Sequence, residues 1–219
     1  MEKKVKSQKK AVTKDFLIKH FIQHVLETGT EPVSVFAFTK SLKCTEKEFY
    51  GFFNSFKALQ KSIWAGWFEE TISSMENEEA YQNYSVREKL LSFYFSWIEL
   101  LKDNKSFVQI KLEKLEKADM NPDFLGQLKE HHTMYISDLM TEGKDTEEVM
   151  ERPFSDRYHK GFWVLFLMIM KFWSQDESEG YEKTDAFIEK SVNLAFDLVA
   201  RGPLDSMMDF AKFMLQNRM

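Results

Sequence analysis

The sequence has little glycine, proline and cysteine, and each shortage excludes a class of structure. Only 8 glycines and 4 prolines occur in 219 residues, too few for the recurrent turns of a β-sandwich or barrel. The single cysteine, Cys44, allows no intramolecular disulfide, and no signal-peptide pattern opens the chain. Apolar residues nonetheless make up 43% of the sequence. We therefore expect an all-helical, cytoplasmic protein with a sizeable core.

Positive charge is concentrated at the start of the chain. Residues 1–60 carry 11 lysines and 6 acidic residues, whereas residues 61–219 carry 19 basic and 29 acidic residues. Lysines before residue 15 account for the whole excess, because residues 15–60 sum to zero. A basic segment on an acidic protein can contact nucleic acid. We therefore expect residues 1–12 to form a disordered basic arm, with Lys9 and Lys10 close to DNA.

Three short apolar patterns follow the arm and predict three helices. Thr13 can cap the first, whose apolar residues recur at helical spacing until Gly29 ends it. A second short stretch surrounds Phe38, and a tight connection follows it. Residues 45–48, Thr-Glu-Lys-Glu, have the form of a capping box. A third helix is thus expected to begin at Thr45 and to extend as far as Phe53.

The rest of the sequence predicts more helices and no strand. Residues 85–88 form a second capping-box pattern. Asn121 and Pro122 have the form of a cap and a first-turn proline, for a helix that runs to about Glu142. The polar residues 143–157 then indicate a loop.

Three apolar stretches close the sequence. Residues 162–173 are apolar on nearly every face, but a membrane span needs about 20 such residues. Such a helix is buried in a core or at a subunit interface. We expect a homodimer in which residues 160–173 and 184–200 pair with the same segments of a second copy. The apolar stripe of residues 203–216 is expected to pack on its own body or on the second copy, with a membrane surface as the alternative.

The three-helix pattern resembles the helix-turn-helix of the TetR family of transcriptional regulators. The resemblance rests on residues 38–40, on the tight turn after them, and on matching offsets of Thr45, Tyr50, Phe53 and Leu59. It implies an all-α, TetR-like fold with a helix-turn-helix head at 13–60. It also implies a helical ligand-binding and dimerisation body at 61–219.

The same resemblance implies the functional residues. In a TetR-type head the recognition helix lies on DNA, and the matching residues here are Thr45, Lys47 and Tyr50. The body helices of the family enclose a ligand pocket, which the resemblance places at Phe93, Trp97, Leu128 and Phe166. The effector is expected to be small and apolar or lipid-like, because no lysine or arginine is evidently buried within the apolar stripes. These residues together imply a ligand-responsive transcriptional regulator.

Several residues of the head depart from the family pattern. Phe52 stands where a polar residue is usual, and Phe56 stands where a lysine is usual. Glu46 and Glu48 flank the single Lys47. Carboxylates at the recognition helix oppose binding to phosphates, unless one of them accepts from a cytosine amino group.

A second resemblance suggests an alternative function. Residues 172–178, followed by Thr184 and Phe187, are similar to the TetR-fold accessory proteins of ubiquinone biosynthesis. Those proteins have lost DNA binding, hold isoprenoid lipid and end in a membrane-contacting helix. The alternative is therefore a lipid or quinone-precursor binding protein that contacts membrane through residues 203–216.

No pattern for catalysis or metal binding is evident. His20 and His24 lie one helical turn apart, a spacing that binds metal only when a third ligand converges. His131 and His132 are adjacent and so point to different helix faces. The sequence shows no nucleophile with a general base and no glycine-rich phosphate loop. We expect no enzymatic activity, no metal and no cofactor.

Overall fold

The computed structural model describes residues 11–113, 121–150 and 158–199, and these residues form helices without any strand. The α-helices are α1 (Lys14–Thr28), α2 (Val35–Ser41), α3 (Glu46–Tyr50), α4 (Phe56–Glu76), α5 (Val86–Asp103), α6 (Lys105–Glu113), α7 (Gly126–Asp145), α8 (Tyr158–Ser174) and α9 (Glu182–Val199). The expected all-α class is confirmed. Within those ranges, no helix combines the length and hydropathy that crossing a membrane requires. Lys9, Lys10 and residues 203–216 lie outside them, and their predicted roles stay predictions.

The chain divides into two compact units, and the division falls between Ile63 and Trp64, inside α4. In the first unit, α1, α2 and α3 pack around aromatic side chains. The ring of Phe56 has its centroid 5.5 Å from those of Phe21 and Phe38 and 5.4 Å from that of Phe49. A phenylalanine at position 56 is therefore part of the core of this unit.

The signals that begin and end the first helices act as the sequence predicts. The Thr13 hydroxyl accepts from the amide of Phe16 at 3.1 Å and caps α1. Gly29 ends α1 with φ 68°, a left-handed conformation that glycine adopts without strain. The capping box at Thr45 is present. Helix α3 nevertheless ends at Tyr50, so Phe53 lies beyond this helix rather than on it.

In the second unit, α5, α7, α8 and α9 supply most of the core. Ser85 and Glu88 form the predicted capping box and begin α5. Asp176, between α8 and α9, accepts from Ser178 and from both the amide and the hydroxyl of Thr184. These hydrogen bonds, from Ser178 and then Thr184, hold the pKa of the Asp176 carboxyl well below its usual value. The Asp176 carboxylate thus fixes the chain between α8 and α9.

Two expectations around α7 are wrong. Pro122 does not begin an α-helix, because it precedes a 3-10 turn at Asp123–Leu125 and α7 begins only at Gly126. Helix α7 also continues through Gly143, which was expected to lie in a loop. The chain folds back there, since the Val149 amide donates to the Gly143 carbonyl at 2.8 Å. A Cβ on Gly143 would lie 2.7 Å from Cγ2 of Val149, so the close approach requires glycine.

Replacing Gly143 with alanine is expected to destabilise the protein by about 1–3 kcal/mol, the usual effect of overpacking a core. This loss should exceed the helix preference of alanine, which is worth about 1 kcal/mol. Urea denaturation monitored by circular dichroism measures the free energy of unfolding. Adding Val149→Ala should recover part of the loss, because it removes Cγ2 of Val149, the nearest atom that a new Cβ would meet.

Gly66 provides the matched control for this substitution. It lies inside α4, and nothing approaches within 4 Å of the position its Cβ would take. Gly66→Ala should therefore keep or raise stability. Equal effects of the two Gly→Ala changes would contradict the account of Gly143.

Candidate functional site

Helix α3 carries the side chains expected to contact DNA. Lys47 is exposed, and Tyr50 is 50% exposed. The hydroxyl of Thr45 accepts from the amide of Glu48 and donates to Glu48 Oε2 at 2.8 Å. The capping box therefore already engages the Thr45 hydroxyl proton. Lys47 and Tyr50 are the two of these residues that offer donors toward solvent.

Two further lysines of the helix-turn-helix, which were not predicted to contact DNA, are also exposed. Lys40 is exposed in the last turn of α2, with its ammonium 5.8 Å from the ring centroid of Phe36. Lys43 is exposed in the turn between α2 and α3 and has φ 57°. Lys40, Lys43 and Lys47 follow one another along α2, the turn and α3. Lysines on both sides of the tight turn are the signal that could have identified them.

The residues that depart from the family pattern lie in different environments. Phe56 belongs to the core described above and exposes only part of its surface. Phe52 is 47% exposed, and Glu46 is exposed beside Lys47. An apolar ring and a carboxylate thus accompany the single lysine of α3.

In the second unit, the four residues predicted to line a ligand pocket are all fully buried. The ring of Phe166 on α8 has its centroid 6.1 Å from Phe93 and 5.5 Å from Trp97, both on α5. Leu128 is buried on α7. The structure thus brings Phe93, Trp97 and Phe166 together in one aromatic core. Their role in ligand binding stays a prediction.

This aromatic core also holds polar groups that the sequence analysis missed. Within the part of the chain that the structure describes, seven buried side-chain atoms have no hydrogen-bond partner, and four of them belong to the side chains around Phe166: Tyr94 Oη, Trp97 Nε1, and Nδ1 and Nε2 of His132. We call them the unpaired core atoms. Burial lowers the pKa of His132 to about 3, so this side chain is neutral at physiological pH. Periodicity marks such residues only as core, because it carries no information about hydrogen-bond partners.

Helices α8 and α9 form an open apolar groove of about 620 Å³. It is lined by one face of each helix: Tyr158, Gly161, Phe162, Leu165, Met168, Phe187, Ser191, Leu194, Ala195, Leu198 and Val199. Two of these side chains are largely exposed, Met168 at 51% and Leu194 at 60%. A contiguous exposed apolar surface of this kind is a candidate interaction site.

The histidine pair of α1 has no metal-binding partner among the residues that the structure describes, where no group of three metal-binding side chains converges. The ring of His20 packs against Phe16, with centroids 4.3 Å apart. His20 and His24 both stay partly exposed on α1. Both histidines therefore lie at the surface of α1.

Comparisons with known proteins agree with this architecture. Residues 89–214 match the family described as tetracyclin repressor-like, C-terminal domain. The TetR transcriptional regulator from Nitrosomonas europaea ATCC 19718 is similar in fold, with a TM-score of 0.59 and 15% sequence identity. The similarity covers 83% of this chain and 96% of that chain. No curated protein matches the sequence.

The match to the family covers more than half of the chain, including most of α5 and all of α6 to α9. The all-helical fold is similar to that of the Nitrosomonas europaea regulator. Proteins of this family regulate transcription and are not enzymes. The chain belongs to the TetR family of transcriptional regulators and has its all-α fold.

Proposed function

We propose that the protein is a ligand-responsive transcriptional regulator that binds DNA as a homodimer and holds a small apolar effector in its body. The arrangement of α2 and α3 is the observation that supports this most directly. A tight turn connects the two helices, a capping box begins α3, and Lys47 and Tyr50 are exposed on it. In helix-turn-helix proteins the corresponding helix enters the major groove.

The open groove of α8 and α9 supports the proposed dimer. Both helices present apolar side chains to solvent there. A second copy of the same groove would cover these side chains through a two-fold, self-complementary contact. The dimer would in turn present two heads to two half-sites on DNA.

Helix α8 links the proposed effector site to the proposed dimer contact. Phe166 lies on its inner face in the aromatic core, and the neighbouring Leu165 lines the groove. An effector that shifted α8 would therefore change both the aromatic core and the proposed dimer contact. It would control DNA binding by favouring one of two spacings of the heads, which requires different affinities for the two states.

DNA binding by this head is expected to depend on Lys47 and to be salt-sensitive. Lys47→Ala removes one exposed charge from α3, so the affinity for DNA should fall by roughly ten-fold. The slope of log affinity against log salt concentration should become shallower by about one, because about one counterion fewer is released. The measurement is fluorescence anisotropy between low and physiological salt, on duplexes selected from a random library by the wild-type protein. Deletion of residues 1–12 should lower the salt dependence further if Lys9 and Lys10 contact phosphates.

Lys183→Ala is the charge-matched control, because Lys183 is exposed on α9 in the second unit. Its affinity and salt dependence should match those of the wild type. If selection enriches no duplex, or if Lys47→Ala and Lys183→Ala behave alike, DNA binding through α3 is contradicted.

A second candidate function is that of a TetR-fold lipid or quinone-precursor binding protein without DNA binding. The exposed ring of Phe52 and the exposed carboxylate of Glu46 favour it, because both oppose contact with phosphates. Native mass spectrometry of the purified protein would separate the two functions. A co-purified isoprenoid lipid together with failed selection of DNA would support the second.

A further inference from the structure

Three buried side chains with unpaired polar atoms surround one phenyl ring in the second unit. The ring centroid of Phe166 lies 4.8 Å from that of His132, 5.5 Å from that of Trp97 and 6.4 Å from that of Tyr94. None of the three side chains is accessible to solvent. They come from two helices, α5 and α7, while Phe166 belongs to α8. Their convergence is thus a property of the fold rather than of one helix.

Buried polar groups without partners are unfavourable, because folding removes their hydrogen bonds to water and returns none. A Tyr94→Phe change would remove such a group without changing the size of the ring. The chain instead keeps the four unpaired core atoms on three side chains whose ring centroids lie within 6.4 Å of that of Phe166. Such a cluster indicates that something absent from the free chain completes these hydrogen bonds.

The hydrogen-bonding capacity of the cluster defines what could complete it. Trp97 can only donate, and the Tyr94 hydroxyl can donate or accept. The neutral His132 offers one donor and one acceptor. The cluster thus offers up to three donors, which suit carbonyl or hydroxyl oxygens. It also offers two acceptors for a hydroxyl proton, the unprotonated nitrogen of His132 and the Tyr94 oxygen.

The shape of the core favours a flat ligand. The rings of Phe93 and Trp97 are inclined by 20°, those of Phe93 and Phe166 by 22°, and those of Trp163 and Phe166 by 21°. These nearly parallel planes provide faces on which a flat ring system can stack. Admission of such a molecule requires the closely packed rings to move apart.

The charges around the core favour a neutral ligand. The rings that contact His132 are Phe93, Trp163 and Phe166, which carry no charge. Lys89, buried on α5, is paired with Glu142 at 2.5 Å. Lys129 lies over the ring of Trp163 and bonds to Asn121. An anion held among the rings around His132 would therefore lose its hydration, and none of these rings offers it a cation.

We infer that the effector is a flat, uncharged molecule that stacks within this aromatic core and whose carbonyl or hydroxyl oxygens pair with Tyr94, Trp97 and His132. This inference rests on the proposed function, in which the body holds an effector, and it adds the chemical class of that effector. The protein would then recognise its effector through hydrogen bonds rather than through charge.

Three probes with the same ring separate these properties: 1-acetylnaphthalene, 1-ethylnaphthalene and 1-naphthoate. Equilibrium dialysis of the full chain, without DNA, measures the affinity for each. The ketone should bind about ten-fold more tightly than the hydrocarbon, because its oxygen accepts from buried donors that otherwise stay unpaired. The carboxylate should bind at least about ten-fold more weakly than the ketone.

The Tyr94→Phe variant tests the assignment to these residues. It should lose much of the preference for the ketone over the hydrocarbon, while the free protein keeps or gains thermal stability. Tyr135→Phe is the matched control. The Tyr135 hydroxyl is already paired, since it donates to the Lys89 carbonyl at 3.2 Å. Tyr135→Phe should thus lower stability and leave the preference unchanged.

Several outcomes would overturn the inference. Equal affinities for ketone and hydrocarbon, or a preference unchanged in Tyr94→Phe, would mean that ordered water pairs with these atoms instead. Tighter binding of the carboxylate would exclude a neutral class, and no binding of any probe would exclude a flat ring. Because no DNA enters these measurements, failed selection of DNA would contradict the proposed regulator and leave a positive dialysis result standing.

Discussion

Replacing Leu194 with aspartate is expected to convert the proposed dimer into monomers. Leu194 lies on the groove of α8 and α9 and is 60% exposed in the single chain. In a two-fold contact through this groove, the substitution would bury a carboxylate from each copy in apolar surroundings. The dimer dissociation constant should rise at least about 100-fold, equivalent to about 2.7 kcal/mol. Sedimentation equilibrium across a range of concentrations measures this change.

Met134→Asp is the matched control for this substitution. Met134 is 66% exposed on α7 and is not among the residues that line the groove. The same change from an exposed apolar residue to aspartate should therefore leave the dimer intact. Circular dichroism should show that both variants keep their helices. A wild-type protein that is monomeric at tens of micromolar, where obligate dimers persist, would contradict the proposed interface.

The capping signals of the sequence predict helix starts well because their cause is local. Thr13 and Ser85 each accept from an amide three residues later, so a short stretch of sequence contains the whole interaction. The left-handed end of α1 at Gly29 is equally local. The helical class and the order of the helices follow from such signals combined with apolar spacing.

Long-range contacts explain where the sequence analysis fails. Gly143 looked like part of a loop, yet Val149 and Val86 pack around its backbone and keep it in α7. Pro122 matched a helix-start pattern, but a 3-10 turn follows it before α7 begins. In each case the contact or turn that decides the conformation cannot be read from residue type.

The candidate sites show the same difference between features set by local sequence and features set by long-range contacts. Capping and exposure on α3 follow from a short motif, so the exposed positions of Lys47 and Tyr50 were predictable, while their contact with DNA stays a prediction. Sequence also placed Phe93, Trp97 and Phe166 on helices that do meet. It did not indicate His132, because its significance lies in complete burial and in the rings from other helices around it.

The protein is expected to lose stability in mild acid because of His132. Burial lowers the pKa of this side chain to about 3 in the folded protein, whereas an unfolded histidine has a pKa of about 6.5. Between these two values the unfolded chain binds a proton that the folded chain does not. The contribution of His132 to the free energy of unfolding therefore decreases as pH falls through about 6.5. Below that pH it decreases by about 1.4 kcal/mol for each pH unit.

The His132→Phe variant measures this contribution directly. The free energy of unfolding, taken from urea denaturation at pH 7.5 and pH 5, should fall by about 2 kcal/mol more in the wild type than in the variant. Other titrating groups are common to both proteins and cancel in this comparison. Phe93→Leu, which alters a ring in contact with His132, should lower stability equally at both pH values. A wild type and a His132→Phe variant with the same pH dependence would show that His132 takes up its proton in the folded core as readily as in the unfolded chain.

NMR titration of the histidine ring carbons provides the independent measurement, since His132 should show no titration between pH 7.5 and pH 5 while the protein stays folded.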